Sequence, residues 1–360
     1  MGHQLRNISV EGYKSISDQT IELSEMNVLI GQNGAGKTNF ISLFRFLRNI
    51  IEKKLKNYLL KTGAENLLYY GSKTTQEIAI QLDFDPNYYE IRLHVTNDDS
   101  LFVRLEQCGF RGDGYKEPYW DNVTFNEKES YLSDFAKKSK IAEHVYEILR
   151  DWRVYHFHDT SESAGVKKYC AIGDNRFLFE DASNLAAFLY LMQKTQTPYY
   201  ERIVKTIQLV IPFFKDFILR PNPFNRENIR LEWIDNFSDK TFTANELSDG
   251  SLRFICMATL LLQKELPRVI LLDEPELGLH PSAITVLSGL LKKASKRSQV
   301  IVSTQSVGLV NEFDAGDIVV VERKGAESLF RRLDAQKLES WLNEFSLGDL
   351  WDKNVIGGKP

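Results

Sequence analysis

Only three cysteines occur in 360 residues, Cys108, Cys170 and Cys256, and none forms a C-x-x-C pair. That scarcity excludes a disulfide framework and a thiolate zinc site, and it points to a reducing compartment. Long hydrophobic runs are missing too. The longest, Phe254 to Leu262, is far too short to span a bilayer. The opening MGHQLRN carries no apolar secretory core, and Arg6 breaks a myristoylation pattern. A soluble, cytoplasmic protein without membrane contact is expected. Neither sign of charge dominates: 45 Lys and Arg against 49 Asp and Glu leave a net charge of −4. That excludes a broad basic surface for nucleic acid or membrane. Lysines do cluster at Lys53–Lys56, Lys137–Lys140 and Lys292–Arg297, runs that usually line the solvated face of a helix. The first two are the candidate DNA contacts. No internal repeat, low-complexity tract or sustained heptad is present, which excludes a solenoid and an extended coiled coil.

What is present is a chain with 43% hydrophobic residues, enough for two or three lobes and a sizeable core. Residues 5–10 and 19–23 alternate and predict an antiparallel pair feeding a buried strand at Val28–Ile30. Apolar residues from Phe40 to Ile51 recur at helical spacing, predicting a helix from Lys37 to about Leu55. Strands are expected over 77–84, 89–95 and 101–105, then helices over 131–152, 183–193 and 199–210, with Pro198 separating the last two. Strands come next at 229–234 and 269–272, then a helix over 281–295, and strands at 300–303 and 318–322. Strand and helix alternating on either side of an insertion indicate an α/β core with an inserted lobe.

The stretch Val28-Leu29-Ile30-Gly31-Gln32-Asn33-Gly34-Ala35-Gly36-Lys37-Thr38-Asn39-Phe40 leaves a buried strand through glycines and enters a helix at Lys-Thr. Gly31, Gly36, Lys37 and Thr38 satisfy G-x-x-x-x-G-K-[ST]. Such a loop turns backbone N–H groups inward beside a helix N-terminus, and both favour a polyphosphate. Nucleotide binding is the expectation.

A second apolar strand, Val269 to Leu272, ends in Asp273 and Glu274. Buried parallel strands deliver their carboxy-terminal residues to the ligand edge of an α/β sheet. Asp273 can hold Mg²⁺ with the Thr38 hydroxyl, and Glu274 can polarise a water in line with the γ-phosphate. Upstream, Leu247-Ser248-Asp249-Gly250-Ser251 precedes an apolar helix. Ser248 and Gly250 suit a phosphate contact and equally well a helix cap.

In this order the motifs resemble the ABC-type ATPases of the SMC, RecF and OLD group, over nearly the whole chain. Gly31–Thr38 is similar to its Walker A, Leu247–Ser251 to its signature with Asp249 where many members have Gly, and Leu271–Pro275 to its Walker B. Glu276–Pro281 is like its D-loop, and Gln305 stands where the switch histidine usually does. Tyr13-Lys14-Ser15 is similar to the element that contacts adenine and ribose. The resemblance implies ATP and Mg²⁺ as cofactors. Lys14, Asn33, Gly34, Ala35, Gly36, Lys37, Thr38 and Asn39 would bind nucleotide with Ser248 and Gly250 of a partner chain. Thr38 and Asp273 would be the metal ligands, and Glu274, Lys37 and Gln305 the catalytic group.

It further implies a head-to-tail homodimer sandwiching ATP, work in DNA maintenance or anti-phage defence, and a possible separately encoded effector protein. The expected fold class is a P-loop ABC-type ATPase head with an inserted β-rich and helical lobe. Residues 1–72 would be the N-terminal part of the head, 73–235 the insertion, 236–345 the C-terminal part and 346–360 a tail. No SMC-type arm is expected in the span from Thr38 to Leu247, and no OLD-type nuclease domain is expected in the stretch after Gln305. A nucleotide-gated scaffold with little hydrolysis is the rival expectation. His156 and His158, treated as a strand pair, share a face in metal-compatible spacing, though a structural role is the expected one.

Overall fold

The computed structural model of the chain describes residues 4–359. Met1–His3, on which part of the N-terminal expectation rests, lie outside the described residues, as does Pro360. The chain divides into two compact units, residues 1–152 with 314–360, and residues 153–313.

In the first unit the alternating segments become strands because every second side chain reaches one buried face. Asn7–Tyr13 and Ile16–Glu22 form the expected antiparallel pair. Their sheet continues from Asn7–Tyr13 through Glu77–Asp83, Asn87–Val95, Leu101–Phe110 and Tyr119–Glu127, antiparallel throughout. The strands expected over 77–105 thus extend the sheet begun at the N-terminus. Tyr119–Glu127 was not legible, since no residue on it is buried and no alternation marks it. The helical stretch over 131–152 resolves into Leu132–Phe135 and Lys140–Leu149. Ser139 breaks it by capping the second helix, its hydroxyl accepting from Ala142 N. Trp152 opens a strand instead, its indole 5.0 Å from the Phe44 ring.

The same unit holds Met26–Ile30, buried along its whole length and parallel to Ile318–Lys324. The latter pairs antiparallel with Glu327–Arg332. A strand buried on both faces is largely apolar, which Val28-Leu29-Ile30 supplies, and the buried Asn27 side chain is satisfied by the Ser24 backbone. The helix Lys37–Ile51 comes next, burying Phe40, Leu43, Phe44, Leu47, Ile50 and Ile51. It stops short of Leu55 because Lys53 takes a left-handed backbone, φ 57°.

The second unit is built on parallel strands Val269–Asp273 and Gln299–Thr304, joined through the helix Pro281–Ser295. The helix Asp249–Leu262 packs on that helix and on Thr197–Val210. Pro198 sits in the first turn of Thr197–Val210, where a missing N–H costs nothing. The single strand expected over 229–234 is two. Asn228–Ile229 pairs with Cys170–Ala171, while Glu232–Asp235 lies between Phe214–Phe217 and Thr241–Thr243. Alternation alone cannot say which partner each half of a run will take. Trp233 seals the latter sheet, its ring 4.7 Å from Phe242 and 6.0 Å from Phe214. Among the described residues no helix is long and apolar enough to cross a membrane.

Candidate nucleotide site

The phosphate loop lies in the first unit. Gly31, Gly34 and Gly36 all have positive φ, 154°, 78° and 119°. At two of them a side chain has no room: a Cβ on Gly31 would lie 2.2 Å from the Val321 carbonyl oxygen, and one on Gly36 2.1 Å from Ser328 Oγ. Here glycine is required for both conformation and space. Ser328 clamps the loop from the neighbouring strand, donating to Ala35 O at 2.6 Å and lying 2.7 Å from Ser15 Oγ. Asn39 Nδ2 donates to that same Ser15 hydroxyl at 2.7 Å.

Lys37 is buried, and its Nζ donates to the Gly31 and Gln32 carbonyls at 2.5 and 3.0 Å. The ammonium is therefore folded back across the loop, where anionic oxygens entering the loop would meet it. Asn33, Gly34 and Thr38 are exposed around it, with Thr38 in the first helical turn. The donor set fits a polyphosphate.

A cavity of about 550 Å³ adjoins the loop, with Lys14, Ser15, Asn39, Tyr70 and Arg323 in its wall. Lys14 has a left-handed backbone, φ 50°, and donates to Ser42 Oγ at 2.8 Å. Burial, then the charge of Arg45, pushes its ammonium below the usual lysine range. Tyr13 is not part of this wall: it is fully buried and stacked on Phe46 at 5.6 Å. Tyr70 instead offers an exposed aromatic ring.

Asp273, Glu274, Gln305, Ser248 and Gly250 all lie in the second unit. Asp273 ends its strand opposite Ser303, whose hydroxyl donates to the carboxylate. Glu274 N donates to Ser303 O at 2.9 Å, and the residue takes φ 42°. A left-handed backbone at a bulky residue costs about 1–3 kcal/mol and collects at functional sites. The Glu274 carboxylate accepts a hydrogen bond from the Gln305 amide. Asp273, Glu274 and Gln305 therefore meet at adjoining strand ends.

Ser248 caps the helix Asp249–Leu262, its hydroxyl accepting from Ser251 N at 3.2 Å. Gly250 packs against the next motif so closely that a Cβ would lie 2.3 Å from Gly278 O. Three residues not singled out for the site tie these pieces together. Arg253 donates to Leu277 O and His158 O, each at 2.8 Å. His158 Nε2 lies 2.6 Å from Asp273 O. Glu276, buried beside them, accepts from the Thr304 hydroxyl. Glu276 stands inside the D-loop-like motif and Arg253 just after the signature-like one, so proximity to a motif was the available signal.

His156 and His158 lie beyond the strand, which ends at Tyr155, so the shared strand face does not exist. Their rings are 5.9 Å apart, and no group of three or more metal-ligating side chains occurs among the described residues.

A family model described as "AAA domain, putative AbiEii toxin, Type IV TA system" matches residues 26–311. An OLD nuclease of Thermus scotoductus is 23% identical over 380 residues, covering 97% of this chain and 68% of its own length. The endonuclease GajA of Bacillus cereus is 19% identical over 337 residues, covering 86% of this chain and 56% of its own length. The chain thus spans roughly half to two thirds of these relatives. Among solved structures, an Smc head bound to the C-terminal winged-helix domain of ScpA superposes with TM-score 0.60 at 16% identity, covering 93% of this chain and 99% of that one. The Smc head with an extended coiled coil from Pyrococcus furiosus, bound to the C-terminal domain of ScpA, gives 0.57 at 14% identity, covering 96% and 99%. At such identities the likeness shows the head fold alone.

Proposed function

We propose that this chain, which belongs to the AAA-domain family matched above and to the SMC/OLD-like group of ABC-type ATPases, binds ATP with Mg²⁺ and hydrolyses it as a head-to-tail dimer. The observation that carries the proposal is Glu274, held in a left-handed backbone with its carboxylate bound by the Gln305 amide, one residue beyond Asp273. Strain of this kind persists when a carboxylate must point in one direction.

In this reading Lys37 and the loop N–H groups bind the β- and γ-phosphates, and Lys14 contacts the nucleoside. Asn33, Gly34, Ala35, Gly36 and Asn39 shape the cradle. Thr38 and Asp273 would hold Mg²⁺, which when bound neutralises charge on the transferred phosphoryl group. Glu274 orients the attacking water and Gln305 holds Glu274. Gln305 hydrogen-bonds without carrying charge, so it fixes geometry rather than sensing the γ-phosphate electrostatically. Ser248 and Gly250 serve the nucleotide on a partner copy. The relatives are a nuclease and an endonuclease, which supports work in DNA maintenance or anti-phage defence, with a separately encoded effector as partner.

The same Gln305 contact supports a second reading. By occupying a carboxylate oxygen of Glu274 it can restrain the base, leaving a nucleotide-gated scaffold with little turnover. One experiment separates them. Glu274→Gln should keep ATP affinity while lowering turnover by about 100-fold or more, and Lys37→Ala should lose binding. A parent that turns over no faster than Glu274→Gln selects the scaffold.

A further inference from the structure

Two loops far apart in sequence come together in the second unit. Cys170–Ala171 and Asn228–Ile229 form a short antiparallel ladder, and Ile172 N donates to Glu227 O at 2.7 Å. Lys168 and Tyr169 lead into one end of this ladder, where Arg230 follows Ile229, and Arg226 precedes the other end, with Arg176 four residues beyond Ile172 on the facing segment. The link continues through side chains. The Arg230 guanidinium lies 5.2 Å from the centre of the Tyr169 ring, and Arg230 and Arg220 both reach the buried Glu232, at 2.7 and 3.3 Å. Asp174 and Glu227 are the other carboxylates of these segments.

Between Arg220 and Arg226 in the chain stands Phe224, 99% exposed, and Tyr169, against Arg230, is 46% exposed. Phe224 is not on a loose loop: its N donates to Asn222 Oδ1 at 2.9 Å, Asn222 N donates to Asn228 O at 2.8 Å, and Pro221 bridges to Ile229. A phenyl ring held out into water by a braced turn contributes nothing to a core. In the lysine runs elsewhere three of the cations are already paired. Lys53 and Lys137 both pair with Asp134, and Lys54 pairs with Glu52. Lys168, Arg176 and Arg226 are exposed.

We propose that loops 167–177 and 220–230 form a binding face for single-stranded nucleic acid. Lys168, Arg176 and Arg226 contact phosphates, and bases stack on Phe224 and Tyr169. Cations track a backbone of any polyanion, but exposed aromatic rings among them select a ligand with free π-faces. A duplex keeps its bases stacked inside and cannot offer them, so the single strand is preferred. Binding at this face does not depend on ATP hydrolysis, and none of these residues belongs to the nucleotide machinery.

The test is fluorescence anisotropy of the nucleotide-free protein with a labelled oligothymidylate of about 20 nucleotides at low salt, a span that covers an ordinary single-strand site. Phe224→Ala should weaken binding by about 10-fold with the salt dependence unchanged, as expected for loss of one stacked base. Lys168→Glu with Arg226→Glu should weaken it further and flatten the slope of log K on log salt by about 0.7 per lost contact. Duplex of equal length should bind more weakly. Melting temperature and ATP turnover of the variants should match the parent, so failure here leaves the ATPase proposal standing, and the converse holds. The face is overturned if oligothymidylate does not bind, or if Phe224→Ala binds as the parent does. Polyglutamate or anionic vesicles competing as well as the oligonucleotide would also overturn it, and would assign the loops to an acidic protein or a lipid surface.

Discussion

Glu276 lies two residues past Glu274, only 8% exposed, with its Oε2 atom lacking any hydrogen-bond partner. Its other oxygen takes the Thr304 hydroxyl, and Thr304 Oγ1 in turn accepts from Ser306 N at 2.9 Å. One buried carboxyl therefore braces the turn that presents Gln305 to Glu274. Burial pushes that carboxyl above the ordinary glutamate range, and the nearby Glu274 charge adds to the effect. A folded-state pKa above the unfolded value means stability that is present at low pH and lost as pH rises through the folded pKa. Glu276→Gln cannot ionise and escapes that loss. The melting temperature of the variant relative to the parent should therefore be more favourable at pH 8 than at pH 5, as scanning calorimetry at both values would read. The opposite trend would mean that the ionised carboxylate is the stabilising form.

At the scale of elements, the helix Asp249–Leu262 meets the loop 276–280 through backbone at Gly250 and through the Arg253 side chain, which donates to Leu277 O. Gly250 permits it, since a Cβ there would press on Gly278 O at 2.3 Å. Neither partner is a flexible side-chain end that could swing aside. Gly250→Ala should therefore separate the two elements, costing about 1–3 kcal/mol as over-packing does. Nucleotide binding by the phosphate loop should survive, because Gly31–Thr38 belongs to the other unit, while turnover falls. Thermal melts, nucleotide titration and a phosphate-release assay on one preparation read all three. Unchanged stability would show that the loop yields freely. Sequence marked this turn by Leu-Ser-x-Gly without deciding between phosphate contact and helix cap. The cap is now explicit, with Ser248 Oγ accepting from Ser251 N.

For the whole molecule, the proposed dimer gives Ser248 a second role in addition to the cap. ATP and Mg²⁺ should shift the Glu274→Gln protein towards dimer in light scattering. Ser248→Arg should block the shift at a cap cost of about 1 kcal/mol, without abolishing ATP binding by the monomer. Dimerisation and turnover both intact in Ser248→Arg would leave the serine as a cap alone. What sequence determined by itself was local chemistry. The loop Gly31–Thr38, the strand ending in Asp273-Glu274 and the helix Pro281–Ser295 each depend on residues close in the chain, where spacing reads directly as conformation. Tertiary structure decided what meets across distance. It joined strands 77–127 to the N-terminal pair, split 229–234 between two sheets, and buried Tyr13 away from the cavity that holds Lys14. It also brought Arg230 onto the Tyr169 ring and paired segment 170–171 with 228–229. Strand pairing and long-range side-chain contacts are chosen by the burial of all segments at once, so no single stretch of sequence encodes them.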